Sequence, residues 1–268
     1  MDIAKCHRVF KKALLTLSLS TCILPVASAE DKTLLKISAI DWCPQICAQD
    51  SENPGYLVEI LQNLFKDSPY IFDIKIYPWS RAISLVRFGS AQALLSPSKE
   101  EAPDLYYHQV PLSYQVHCFF KSADDSWVYK SDDSLLSKKI IIYQDHSYGN
   151  ILKEYLSAER NGMFLLPYND GYIEQAINLV RAKRADTFLF TLNSVTHYLI
   201  NNKITDIKRD TCIKKDELWL ALSPMHTGLN KQVTEFLDRK LVGFIKTKEY
   251  RAILKKYHVS FPDLNPQG

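Results

Sequence analysis

The stretch from Tyr77 to Phe120, YPWSRAISLVRFGSAQALLSPSKEEAPDLYYHQVPLSYQVHCFF, constrains the fold more than any other part of this chain. Pro78 stops a preceding strand, and Trp79, Ile83, Val86 and Phe88 then fall close to helical spacing, with Arg81 and Arg87 on the polar side. Gly89 ends that helix. The run Ala91 to Leu95 is short and apolar, the signature of a strand buried on both faces of a parallel sheet. Ser96, Pro97 and Ser98 leave from its carboxyl end, the edge at which open α/β sheets bind ligands.

The same alternation runs through the rest of the chain. Leu34 to Ile40 and Ile71 to Tyr77 read as strands, with a helix over Gly55 to Phe65 between them. After Cys118 the pattern restarts: strands at Lys139–Tyr143, Phe164–Leu166 and Thr187–Thr191, helices at Tyr148–Leu156 and Tyr172–Val180. Alternating β and α segments imply parallel sheets covered on both faces, in two lobes. Glu217–Ser223 reads as a further strand ending at Pro224, followed by a long amphipathic helix from Leu229 through Leu241 and a last helical segment over Tyr250–Tyr257. The patch Lys203 to Lys215 is mildly basic, interrupted by Asp206 and Asp210, and reads as a solvated face.

The first 29 residues read as a cleavable export signal. Lys5, Arg8, Lys11 and Lys12 precede an apolar core over Ala13–Leu24, and Ala27-Ser28-Ala29 supplies a small-residue cleavage site. The competing readings are a retained amino-terminal anchor and a lipoprotein box at Leu19-Ser20-Thr21-Cys22, whose threonine fits poorly. Elsewhere no run approaches the roughly 20 apolar residues of a membrane span. The formal net charge of +3 belongs to the leader, so the remainder is neutral and no global field recruits nucleic acid.

Of the six cysteines, Cys6 and Cys22 leave with the leader. Cys43, Cys47, Cys118 and Cys212 remain, an even number in an oxidising compartment, and imply two disulfides. Cys43 with Cys47 and Cys118 with Cys212 is the preferred connectivity among the three allowed, because Cys-Pro-Gln-Ile-Cys closes a tight turn after a strand. A metal site lacks a second matched pair or a nearby histidine. A redox pair would need a spacing one residue shorter.

The Pro-Trp-Ser-Arg-Ala helix, the glycine before a short strand, and the Pro-Asp-Leu-Tyr-Tyr to Pro111 run before Cys-Phe-Phe resemble bacterial extracellular solute-binding proteins of family 3. The resemblance implies a two-lobed type II periplasmic-binding-protein-like α/β fold, each lobe a mainly parallel sheet flanked by helices. It assigns residues 30–116 to the first lobe, 117–222 to the second and 223–268 to a return to the first. Two hinge strands then cross between lobes, with Val116–Lys121 and Leu218–Ser223 as candidates. The expected partners are a small-molecule ligand and an ABC permease or membrane sensor, for a monomeric periplasmic protein with no cofactor.

Position in that pattern nominates Trp42, Trp79, Ser96 and Ser98 in the first lobe and Ser147, Tyr148 and Asn193 in the second as ligand-binding residues. Indole and phenol rings suit a small amphipathic ligand, and free N–H groups at a helix start beside Ser147 attract polar groups. With 12% aromatic residues, some rings simply pack, and core is the favoured reading of Trp79. The family's carboxylate-gripping arginine falls where this chain has Glu101 and Ala102, and its amine-holding aspartate where Thr191, Leu192 and Asn193 stand. Both departures argue against an ordinary α-amino acid. No nucleophile elbow, HExxH, P-loop or dinucleotide fingerprint is present. For an enzyme on the same scaffold, of the periplasmic dehydratase kind, Glu59, Asp145 and His146 are the residues to test.

Overall fold

The computed structural model describes residues 32–143, 152, 163–167 and 171–262. The proposed leader, the expected helix over Tyr148–Leu156 and the nominated Ser147 and Tyr148 lie outside the described residues, as do Asp145 and His146.

The first sheet contains β1 (Thr33–Ala39), β2 (Tyr70–Ile76), β3 (Ala93–Leu95) and β9 (Leu220–Leu222) in the order β2-β1-β3-β9. β1 runs parallel to β2 and β3, and β9 closes the edge antiparallel to β3. Helices α1 (Tyr56–Phe65) and α2 (Trp79–Arg87) make the crossovers. The second sheet has the order β6-β5-β7-β4-β8, built from β4 (Ser113–Ser122), β5 (Ile140–Tyr143), β6 (Met163–Leu166), β7 (Thr187–Thr191) and β8 (Ile207–Leu218). Here α3 (Tyr172–Arg181) and α4 (Leu192–Asn201) are the described helices. The chain then returns to the first sheet through β9, α5 (Thr227–Phe244) and α6 (Lys248–Lys256).

Strand alternation sorts side chains onto both faces of each sheet. Ala93 and Leu95 join Leu35, Ile60 and Leu237 in one cluster, whereas Leu94 packs with Ala82 and Val86 under α2. Phe120 and Ile141 lie with Tyr172 and Ile177, while Phe119, Ile140 and Ile142 face the other way. Both sheets are therefore buried on two sides, which explains their nearly continuous apolar runs.

Three local readings change. Phe88 is not on the buried stripe of α2: it follows the last helical turn and is 79% exposed. Residues 207–215, read only as a solvated face, form most of β8, a twelve-residue strand that keeps Lys208 and Arg209 exposed. Its polar composition fits because β8 is an edge, hydrogen-bonded only to β4, and an edge strand tolerates charged side chains. The crossing consequently lies where Ser113–His117 pairs with Lys214–Leu218, ahead of the Leu218–Ser223 segment whose residues 220–222 belong to the first sheet. Both expected disulfides are present, and Cys118–Cys212 joins residues directly opposed on β4 and β8.

Gly55 ties the return segment to the first lobe. Its φ of +104° disfavours any side chain, and a β-carbon there would fall 2.5 Å from the carbonyl oxygen of Gln45. Its N–H donates to Tyr257 Oη at 3.1 Å, and that hydroxyl donates to Glu59 Oε1 at 2.7 Å. Gly55→Ala is expected to destabilise the protein by about 2 kcal/mol or more, read as a lowered midpoint in chemical denaturation.

Candidate functional site: the cleft between the two sheets

On the first-lobe side, β1 runs out into a turn closed by the Cys43–Cys47 disulfide. Trp42 and Ile46 exchange backbone hydrogen bonds of 2.8 and 2.9 Å, and Asp41 Oδ1 accepts the Ala48 N–H at 3.0 Å. This turn is one part of the first lobe that meets α4. Gln45 Nε2 donates to Ser194 Oγ at 3.3 Å, Thr191 Oγ1 donates to the same oxygen at 3.0 Å, and Cys43 Sγ lies 3.7 Å from His197 Nε2. Gln45 and Ser194 are both buried. Beside this contact lies a cavity of about 350 Å³, walled by Asp41, Asp50, Tyr172, Phe190, His197 and Tyr198.

The second contact forms around the exit from β3. Ser96 has φ +72°, its N–H donates to the Trp219 carbonyl at 2.8 Å, and its buried hydroxyl finds no hydrogen-bond partner among the described residues. Two residues on, Ser98 and Glu101 cap one another: Ser98 N–H donates to Glu101 Oε2 at 2.9 Å and Glu101 N–H to Ser98 Oγ at 3.3 Å. Desolvation pushes the Glu101 carboxyl above its ordinary range, with the Ser98 N–H opposing and the charge of Asp216 reinforcing the shift. Next to it, Glu100 accepts from Lys214 Nζ of β8 at 2.7 Å, an ion pair between the lobes. A second cavity, about 360 Å³, opens here among Ser98, Lys99, Tyr114, Asp216 and Trp219. Its Lys99 Nζ sits 4.0 Å from the Trp219 ring centroid.

The nominated residues divide accordingly. Ser98 lines the second cavity, and Ser96 stands just before it in the chain. Trp42 packs against the first-lobe core and Trp79 against the cluster beneath α2. Asn193 is buried at the start of α4, where its Oδ1 accepts the Ser260 N–H at 3.1 Å. Glu59 is engaged by Lys256 at 2.6 Å and Tyr257 at the junction of α1 and α6. Sequence reasoning missed Asp41, Asp50, Phe190 and His197. Only the ends of β1 and β7 pointed toward them.

No family model matches the chain, and no curated protein matches it in sequence. Solved structures do match its fold. A histidine kinase sensor domain described as similar to periplasmic binding proteins superposes with a TM-score of 0.64 at 20% identity, covering 85% of this chain and 97% of that one. The probable amino-acid ABC transporter extracellular-binding protein ytmK from Bacillus subtilis gives 0.66 at 17% identity, covering 84% and 97%. A putative L-cystine ABC transporter protein from Listeria monocytogenes gives 0.64 at 19% identity, covering 84% and 95%. This chain therefore has the two-lobed fold of periplasmic binding proteins, with these two cavities at the strand ends between the lobes.

The raised Glu101 carboxyl gives a prediction of unusual sign. A carboxyl whose folded pKa lies above its unfolded one contributes stability that is full at low pH and lost as pH rises through the folded pKa. Glu101→Gln, which keeps an oxygen for the Ser98 N–H, is expected to raise the melting midpoint at pH 7, with the difference vanishing near pH 4. A variant less stable than the parent at pH 7 would contradict the desolvation account.

Proposed function

We propose that the protein is an exported solute-binding protein that captures a small polar or amphipathic molecule between its lobes by hinge closure and hands it to a membrane partner. The observation that carries this reading is structural. Two separately cored α/β sheets are joined by the paired β4 and β8, with ligand-sized cavities where the first-lobe loops meet the second lobe. The lobes are proposed as residues 30–116 and 117–219, with the return to the first beginning at β9 and running to residue 268. Ser96 and Ser98 are proposed to meet the solute from the first lobe and Ser147 and Tyr148 from the second, while Trp42, Trp79 and Asn193 shape the walls behind them.

The likeness to ytmK and to the cystine transporter protein favours delivery to an ABC permease. The likeness to a sensor domain favours a second reading, in which closure is reported to a membrane-bound signalling protein. Among the described residues no helix is long and apolar enough to cross a membrane, so the partner in either case is a separate chain or lies beyond them. The function is binding without turnover, in the periplasm, after cleavage behind Ala29.

A thermal-shift screen against amino acids, amines, organic acids and sugars tests the proposal. A cognate solute at about 100 times its Kd stabilises the native state by about 2.7 kcal/mol. It is expected to raise the melting midpoint, to shrink the radius of gyration in small-angle scattering, and to be recovered unchanged. A panel without any stabilising solute, or a hit that is chemically consumed, would refute it. Amino-terminal sequencing of the periplasmic protein is expected to begin at Glu30.

A further inference from the structure

The two cavities between the lobes differ in charge. In the one beneath the disulfide turn, Tyr172, Phe190 and Tyr198 form the second-lobe wall, and the carboxylates Asp41 and Asp50 stand on the first-lobe rim. Neither lysine nor arginine occurs among its described lining residues. Its His197 is held toward the neutral form, by burial first and the charge of His258 second. The rim carboxylates are fixed in place. Asp50 accepts from the Glu52 N–H, the Asn53 N–H and Asn53 Nδ2 at 3.0, 2.8 and 3.1 Å, and those bonds from Asn53 hold its carboxyl below the ordinary range. Asp41 is oriented by the Ala48 N–H.

In the other cavity the cations are already committed. Lys99 lies over the Trp219 ring and Lys215 over the Tyr114 ring, 4.9 Å from its centroid. The adjacent Lys214 is shared between Glu100 and Asp216, at 2.7 and 3.2 Å. An arginine is absent from the described lining of both cavities. A solute carboxylate entering the first cavity would meet two oriented carboxylates beside the aromatic wall. A positively charged head group would meet attraction from each.

We infer that the cavity between the disulfide turn and α4 receives the charged end of a small organic cation, an alkylammonium, arylammonium or guanidinium group, so that the captured solute is cationic. This rests on the solute-binding reading above and narrows it. The carboxylates supply long-range attraction and charge-assisted hydrogen bonds, and the rings supply a flat apolar wall for the carbon skeleton.

Calorimetric titration of the exported protein with agmatine, choline and tyramine, against the matched acid 4-hydroxyphenylacetate and the matched alcohol tyrosol, tests the inference. At least one cation is expected to bind, with the acid and alcohol silent. Its affinity is expected to fall about tenfold in Asp41→Asn or Asp50→Asn and to weaken with added salt. Asparagine keeps an oxygen for the backbone N–H at each site, and Phe190→Leu provides a variant that leaves the rim untouched and removes the aromatic face. Binding of acids or neutral solutes while every cation is silent overturns the inference and leaves the solute-binding reading standing. Cation binding indifferent to all three substitutions overturns it as well. Failure of every solute, whatever its charge, sinks both.

Discussion

The antiparallel pairing of β4 with β8 is the constraint on which the rest of the structure depends. Its register runs from Ser113 opposite Leu218, beside the first sheet, to Ser122 opposite Ile207, deep in the second. Two further bonds lock it. The Cys118–Cys212 disulfide joins opposed positions, and Lys121 Nζ meets Asp210 Oδ1 at 2.8 Å with both side chains almost wholly buried. An ion pair so shielded tolerates the loss of neither partner, since the remaining charge would be stranded away from water. The register shifts at His117–Cys118 and Cys118–Phe120, and such irregularities bend and twist a strand pair. The ladder is thus pinned by the disulfide where its hydrogen bonding is least regular.

Once that ladder is set, the cleft follows from topology. β1 and β3 run parallel, and their carboxyl ends launch the disulfide turn and the Ser96–Glu101 loop. β7 passes directly into α4, which carries Ser194 and His197 to the disulfide turn. The return through β9 then fixes the first lobe from behind. Tyr257 clamps Gly55 and Glu59, and Tyr250 Oη donates to the Leu112 carbonyl at 3.1 Å at the foot of β4.

Most of this framework was legible in the sequence, because buried parallel strands are short apolar runs and their helices carry period-3.6 stripes. Two elements were not. α4 begins at Leu192 with no glycine or proline after β7, although Leu192, Val195 and Leu199 have helical spacing, so the strand signal concealed the helix. β8 carries charge at most positions because it borders only β4, and an edge strand loses the apolar run by which a central strand is recognised. The site was harder to read. Trp42 and Trp79 looked like ligand platforms, yet large rings contribute most by packing, and both lie against cores. Asp41 and Phe190 are separated by nearly 150 positions and become neighbours only when the lobes face one another.

Among the described residues, several polar contacts cross the cleft and bear on the proposed solute binding. They include the Gln45–Ser194 hydrogen bond, the Glu100–Lys214 ion pair with its half-exposed carboxylate, and the bond from Ser260 to Asn193. A net hydrogen bond is worth about 1 kcal/mol, and a partly exposed ion pair ~1 kcal/mol or less. Their total is of the same order as the ordering cost of the loops that make them, so these bonds by themselves add little to closure. A solute with micromolar affinity contributes about 8 kcal/mol. If much of that is gained only when both lobes touch the solute, the difference between open and closed states is governed by the solute and not by the protein's own contacts. On the proposed reading, such a cleft responds to its solute because each of these described bonds between the halves is individually weak.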